Sequence, residues 1–302
     1  MSYIDVLREA EDQVTPGASA CQGCGGELIL RTVLQIAGKN TILGVPPGCM
    51  AGAGSVGWNF NSGVRIPVTI PLLDNCASLF TGISQMYQRK GREDVNAVIV
   101  AGDGATADCG FQSLSGAAER NEKILYVCYD NEGYMNTGYQ RSSTTTKGSR
   151  TSTTPLGSVI NGKVQHQKYV PLILSMHGLE YCATASPSDM KDFVEKVQKG
   201  LAASKKGFAY LHVFSPCPTG WGYASDQCIA VARKAVKSNM FPLWEKDENG
   251  YKINKVIKDP MPIREFVQGI SKFKKLTDEQ IDSIQQMVDT RYAELERLAG
   301  KE

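Results

Sequence analysis

The chain has 302 residues, 42% of them hydrophobic and 21% charged, with a formal net charge of +2; this is the make-up of an ordinary globular protein, not a disordered or fibrous one. Lysines and arginines are scattered, so no basic stripe marks a nucleic-acid or anionic-membrane partner. No apolar run approaches the roughly 20 residues that span a bilayer, and the opening MSYIDVLREAEDQ lacks a signal-peptide core, so the expectation is a cytoplasmic protein with no nucleic-acid and no membrane partner.

Residues 26–38, GELILRTVLQIAG, place apolar side chains at helical spacing and stop at Gly38. NTILGV is a short β-like run. Residues 51–63, AGAGSVGWNFNSG, read as a glycine-rich loop, and VRIPVTIPLL beyond it as a strand with prolines near its ends. Residues 75–91 read as a helix closed by Gly91. VNAVIVA (95–101) is a buried strand, followed by a helix from about Cys109 to Arg120 and a second buried strand, KILYVCYD (123–130). Such a succession predicts a right-handed βαβ unit.

The segment 136–162, NTGYQRSSTTTKGSRTSTTPLGSVING, is polar and rich in Ser and Thr. It is either a solvated loop or a functional one, because long loops inside compact domains are uncommon. Alternation resumes with YVPLILSMHG, EYCATAS, the helix-like SDMKDFVEKVQKGLAAS and the strand GFAYLHVFS, which delivers Cys217 where ligands collect in an open parallel sheet. The fold class is therefore α/β. From about residue 240 turns alternate with short amphipathic pieces. Thr277 and Gln280 then form a capping box for a closing helix through about Ala299, with Ile281, Ile284, Val288, Leu295 and Leu298 on one face. We divide the chain into residues 1–239 and a C-terminal helical extension, 240–302, that packs on the core or on a partner subunit.

Chemistry concentrates at two places. Gly102, Asp103 and Gly104 follow the first buried strand and Asn131 follows the second, so Asp and Asn stand at neighbouring strand ends where both can approach one ion. Mg²⁺ wants oxygen ligands and is commonly held by few protein groups plus phosphate oxygens. Asp103 supplies charge, Asn131 an amide oxygen and the backbone near Gly133 a carbonyl; a diphosphate would rest on the helix amides after Gly104, whose missing side chain admits it. The plainer alternative makes Asp103 a turn or cap residue and Asn131 a turn residue, but the matched strands and spacing favour the metal.

Of nine cysteines, Cys76, Cys109, Cys128, Cys182 and Cys228 lie in apolar stretches and read as small buried hydrophobes. Cys21, Cys24, Cys49 and Cys217 lie in Gly- and Pro-rich loops, and four thiolates suit either zinc or a [4Fe-4S] cluster. His166, His177 and His212 fit no catalytic motif and read as surface or core histidines.

The stretch from Gly102 to Asn131 resembles the thiamine diphosphate motif, Gly-Asp-Gly with a later Asn. GDGATADCGFQSLSGAAERN, VCYDNEGYMNTGYQRS, CQGCGGE and SPCPTGWG together resemble the beta subunit of 2-oxoacid:ferredoxin oxidoreductases over roughly residues 17–230. The resemblance implies a thiamine diphosphate-binding fold for residues 1–239, a mostly parallel sheet flanked by helices. It implies thiamine diphosphate on Gly102, Asp103, Gly104, Asn131, Asn136, Thr137 and Cys49, with Asn136 catalytic. It implies Mg²⁺ on Asp103, Asn131 and Gly133, and it decides for a [4Fe-4S] cluster on Cys21, Cys24, Cys49 and Cys217, with Gly23, Gly25 and Gly48 leaving room for the inorganic core.

The implied reaction is oxidative decarboxylation of a 2-oxo acid, with electrons leaving through the cluster and the acyl group passing to coenzyme A as co-substrate. No glutamate here can be assigned to the cofactor's aminopyrimidine, and there is no second cysteine run. An alpha-type subunit is expected to supply that Glu and much of the substrate pocket, and a ferredoxin-type subunit or ferredoxin to take the electrons. Trp58 and Phe60 serve that interface or plain core packing. Pyruvate leads within the family, but GVPPGCMAGAGSVGWNF and LLDNCAS depart from pyruvate-type stretches, which keeps oxalate, branched-chain 2-oxo acids and phenylglyoxylate open. The rivals are a non-redox thiamine decarboxylase or carboligase with structural zinc, and a silent electron-transfer subunit without thiamine.

Overall fold

Strands β1 (Thr41–Gly44), β2 (Val68–Thr69), β3 (Asn96–Gly102), β4 (Ile124–Asp130), β5 (Tyr181–Ala185), β6 (Phe208–Phe214), β7 (Trp244–Asp247) and β8 (Gly250–Ile253) form one sheet in the order β2-β1-β3-β4-β6-β5-β7-β8. The computed structural model describes residues 3–55, 63–159 and 161–300. All pairings from β2 through β5 are parallel, and only β5–β7 and β7–β8 are antiparallel. Every residue of β4 and β6 is buried, as expected of parallel strands covered on both faces, which therefore read as near-continuous apolar runs.

Strand alternation divides the core. Val98, Val100, Leu125, Val127, Leu211 and Val213 face helices Gly25–Ala37 and Met190–Ala203. Ala97, Ile99, Ala101, Tyr126, Cys128 and Tyr210 face helices Cys76–Arg89, Phe111–Glu119 and Val170–Ser175. At about 1.5–3 kcal/mol per fully buried large apolar side chain, these two layers hold β3 and β4 side by side. Gly102 registers with Tyr129, so the residues beyond the two strands emerge together at their C-terminal ends.

Several elements differ from the sequence-based expectation. VRIPVTIPLL joins the sheet only at Val68–Thr69, because Pro67 and Pro71 have no N–H to give a ladder, and Val64 makes an isolated antiparallel bridge to Val14. Part of the stretch read as a glycine-rich loop is a helix, Cys49–Ser55; Trp58 and Phe60 lie outside the described residues. YVPLILSMHG contributes the helix Val170–Ser175. The helix after β3 begins at Gly104, with a π-turn over Gly104–Cys109 closed by Gly110 N–H on the Ala105 carbonyl. The extra residue of a π-turn rotates the side chains beyond it about the helix axis, and Cys109 is consequently exposed instead of facing the interior, with Sγ 3.3 Å from the Tyr134 hydroxyl. Cys76, Cys128, Cys182 and Cys228 are buried.

The tail is less purely helical than its sequence suggests. β7 and β8 form a hairpin on the sheet edge before the capping-box helix Asp278–Leu298. Glu245 on β7 joins this hairpin to the core. It accepts from the Tyr181 hydroxyl at 2.6 Å, Lys199 Nζ at 2.7 Å and Asn254 Nδ2 at 2.9 Å. Burial alone would raise its pKa, but the bonds from Lys199, Tyr181 and Asn254 hold it down at about 2.

Glu245→Gln is therefore expected to cost about 1.5–3 kcal/mol near neutral pH, the usual worth of hydrogen bonds to a charged group. Because the folded-state pKa lies below the ordinary value of 4.5, this stabilisation is complete above that value and drains away as pH falls toward 2. Denaturant titrations at pH 7 and pH 3 check it: the gap between wild type and variant should narrow in acid, and an undiminished gap would contradict the assignment.

Candidate active site

Asp103 is fully buried at the end of β3, and Asp130 and Asn131 are buried at the end of β4. The Asn131 side-chain amide stands 2.9 Å from the Gly133 carbonyl and 3.0 Å from Asp103 Oδ1. In one amide orientation its nitrogen donates to both. In the other its oxygen joins them, and three acceptor oxygens converge on one point, the donor set a hard cation prefers. The other Asp103 oxygen, Oδ2, is already occupied, since the Ser142 hydroxyl donates to it. Burial and the neighbouring Asp130 carboxylate push the Asp103 carboxyl well above the usual range. Asp130 is held low despite its burial, because His212 Nε2 lies 2.9 Å from it and the Thr144 hydroxyl donates to it at 2.7 Å.

The polar 136–162 segment supplies these hydroxyls: its middle is buried at Ser142, Thr144, Thr145 and Thr146, while Asn136, Thr137, Ser152 and Thr153 are exposed. Five consecutive residues each take a different acceptor. Ser142 donates to Asp103, Ser143 to Asp108, Thr144 to Asp130, Thr145 to the Glu132 carbonyl at 2.7 Å, and Thr146 to the Glu132 carboxylate at 2.6 Å. Thr144 has a single proton to give, and although Asp103 Oδ2 is 3.0 Å away, Asp130 at 2.7 Å is the nearer acceptor. The buried ammonium of Lys163 donates to the carbonyls of Thr145 at 2.6 Å and Ser143 at 3.1 Å, fixing the segment from behind.

One cavity is lined by Gly102, Asp103, Gly104, Asn131, Gly133, Asn136, Thr137 and Cys49, so these eight come together, along with Leu73, Tyr134 and Met135. Asn136 and Thr137 are exposed on a 3₁₀ turn ending at Gly138. The glycines owe their identity to protein neighbours. A Cβ on Gly104 would meet the Tyr134 ring at 2.4 Å, and one on Gly102 would meet the Tyr129 hydroxyl at 3.1 Å.

Cys49 and Cys21 also line a second, open cavity of about 530 Å³ with Cys217, Trp221 and Lys272, and Cys49, Met135 and Asn136 form the wall that the two cavities share. Cys24 caps helix Gly25–Ala37. Burial, and then the proximity of Cys24, Cys217 and Cys21, pushes the Cys49 thiol up to about 12; burial, with Cys217 and Cys21 contributing, pushes Cys24 to about 11. The four loop cysteines are thus mutual neighbours. Among the described residues no three His, Cys, Asp or Glu side chains are gathered tightly enough for a single metal ion. Gly23 and Gly25 do not open space for an inorganic core. A Cβ on Gly23 would stand 2.0 Å from the Ser225 carbonyl oxygen, and one on Gly25 would stand 3.2 Å from Cys228 Sγ and Ser215 Oγ, so these glycines let the Cys21–Cys24 loop pack on the Cys217 segment.

Sequence reasoning missed the hydroxyl run, Asp130, His212 and Lys272. The signals present were a second Asp ending a strand beside the first, and five hydroxyl residues in a row. His212 is a core histidine, with Nδ1 2.6 Å from the Tyr210 hydroxyl.

Residues 77–213 match the thiamine pyrophosphate enzyme C-terminal TPP binding domain. The chain is 48% identical over 289 residues to the beta subunit of NADH-dependent phenylglyoxylate dehydrogenase from Aromatoleum evansii, covering 95% of this chain but only 65% of that protein's length. It is 39% identical to the pyruvate synthase subunit PorB of Methanothermobacter thermautotrophicus, covering 94% of this chain and 98% of PorB. Among solved structures it is similar to the 2-oxoglutarate:ferredoxin oxidoreductase of Magnetococcus marinus, with TM-score 0.56 and 25% identity over 72% of this chain and 69% of that one.

Proposed function

Because the chain belongs to the family of beta subunits of thiamine-dependent 2-oxoacid:ferredoxin oxidoreductases, we propose that it is the cofactor-bearing subunit of such an enzyme, holding thiamine diphosphate, Mg²⁺ and a [4Fe-4S] cluster and oxidatively decarboxylating a 2-oxo acid. The observation that carries this reading is the shared wall: an oxygen-rich strand-end cavity and a four-cysteine cavity meet at Cys49, Met135 and Asn136. Chemistry at one can feed electrons to the other over a short path.

When bound, thiamine diphosphate supplies a carbon nucleophile and an electron sink, and the cluster a one-electron outlet. The chain's own residues bind and orient. Ser142 anchors Asp103 Oδ2, which leaves Oδ1, the Asn131 oxygen and the Gly133 carbonyl to hold the cation. The amides after Asp103 would receive the diphosphate, since helix N-terminal N–H groups favour anions. Asn136, exposed on the shared wall, orients the reacting group, while Leu73, Tyr134 and Met135 line the cavity and exclude water. Cys21, Cys24, Cys49 and Cys217 hold the cluster.

The carboxylate among the described lining residues is Asp103, already committed to the cation. The acid for the aminopyrimidine is left to an alpha-type partner, and the electrons to a ferredoxin-type subunit or ferredoxin. For the substrate we favour aryl glyoxylates over pyruvate, with coenzyme A as acyl acceptor, a reading supported by 48% identity to the beta subunit of a phenylglyoxylate enzyme against 39% to a pyruvate synthase subunit.

Metal analysis of the purified complex, EPR after reduction, and an assay against phenylglyoxylate, pyruvate, a branched-chain 2-oxo acid and oxalate, each with and without coenzyme A, test this. Four irons per chain and acceptor reduction with at least one 2-oxo acid are expected. Stoichiometric zinc without iron would overturn the redox reading in favour of a decarboxylase or carboligase.

A further inference from the structure

The C-terminal segment reaches the cysteine cavity at Ser271 and Lys272. Lys272 is fully buried, lines the cavity beside Cys217, and donates to the Glu132 carboxylate at 2.8 Å. Its ammonium lies 3.1 Å from the centre of the Trp221 ring and 4.7 Å from that of Phe273. The Trp221 indole N–H in turn donates to the Asn131 carbonyl at 2.9 Å. The backbone around Lys272 is pinned to the turn after Cys217: the Ser271 hydroxyl donates to the Gly222 carbonyl at 2.7 Å, and Gly222, at φ +70°, has no Cβ that would strike Ser271.

This ion pair is oriented. The cation lines the cysteine cavity, whereas Glu132 lines a different one with Asp130 and His212. Glu132 is held there by Thr146 and by its own left-handed backbone, φ +60°. The cationic partner of the pair thus belongs to the residues that line the cysteine cavity and the anionic partner to those of the other, in surroundings where burial weakens dielectric screening.

We infer that Lys272 is a tuning residue for the iron–sulfur group held by Cys21, Cys24, Cys49 and Cys217, its cation stabilising the reduced form and so raising the group's reduction potential. Net charge and nearby polar groups are what set such potentials. The inference rests on the cluster assignment and concerns this chain's residues toward it. It also gives the C-terminal extension a role in electron exit that packing alone would not.

The test is an EPR-monitored redox titration of the assembled enzyme carrying Lys272→Met, Lys272→Arg, or Lys272→Met with Glu132→Gln, the last removing the pair without leaving a buried lone carboxylate. Lys272→Met is expected to make reduction about tenfold less favourable, which for a one-electron couple is a fall of about 59 mV. The double variant should fall in the same direction by less, and Lys272→Arg should stay near wild type. An unchanged midpoint in Lys272→Met that retains its iron overturns the inference while leaving the cluster standing. So does loss of iron from both Met-containing variants when the Arg variant keeps it, since that marks a structural role. Absence of iron from the wild type defeats the cluster assignment itself.

Discussion

Asp103→Asn is expected to lower affinity for Mg²⁺ and thiamine diphosphate by at least about 100-fold, since changing a residue merely behind a metal ligand already costs 10–100-fold, and to leave the cofactor-free chain more stable than wild type. The two effects share a cause. Asp103 is sealed from water and set beside Asp130, and burial and that neighbour both disfavour its charge. An asparagine of the same shape removes the electrostatic conflict and keeps an oxygen for the Ser142 hydroxyl. It also removes the negative charge a divalent cation needs. Isothermal titration with Mg²⁺ and thiamine diphosphate, paired with thermal melts of the apo chain, reads both. Wild-type affinity in the variant would place the cation elsewhere, and a lowered melting temperature would show that the carboxylate is not strained by its surroundings. A functional group that destabilises its own fold is a familiar trade between stability and activity.

Cys49→Ser is expected to abolish the reduced-cluster EPR signal and acceptor reduction together, while 2-oxo acid decarboxylation without an external acceptor survives in part. Cys49 is the cysteine that lines both cavities, so its loss should open the cluster at the point nearest the thiamine. Cys109→Ser supplies the contrast. That thiol is exposed beside Tyr134 and outside the four-cysteine group, and iron content and turnover should match wild type. Iron retained in Cys49→Ser but lost in Cys109→Ser would reverse the ligand assignment.

The fold was readable where a periodic pattern coincided with burial on both sides. β3, β4 and β6 are apolar runs of the kind a covered parallel strand demands, and the approach of Asp103 to Asn131 was legible because each stands just beyond the end of one of two neighbouring strands. What stayed hidden depended on contacts distant in sequence. Nothing local announces that Ser142 will meet Asp103 thirty-nine residues away or that Lys272 will meet Glu132 across 140 residues. Composition argued the opposite in the first case, because Ser and Thr usually mark exposed loops. Gly23 and Gly104 were visible as glycines, but the neighbours that forbid a Cβ, Ser225 and Tyr134, come from elsewhere in the chain. Cys109 was misplaced by a single residue of π-turn, a geometry with no spacing signature.

The run from Ser142 to Thr146 carries a constraint of a kind usually associated with reading frames. Each hydroxyl is matched to one acceptor in order, and Lys163 holds the carbonyls behind them. Ser-for-Thr exchanges inside it leave every donor in place. Insertion or loss of one residue hands each carboxylate its neighbour's partner, so a stretch with the composition of a loop has the length tolerance of a buried strand, and variation in this chain should accumulate as substitutions there, never as changes in length.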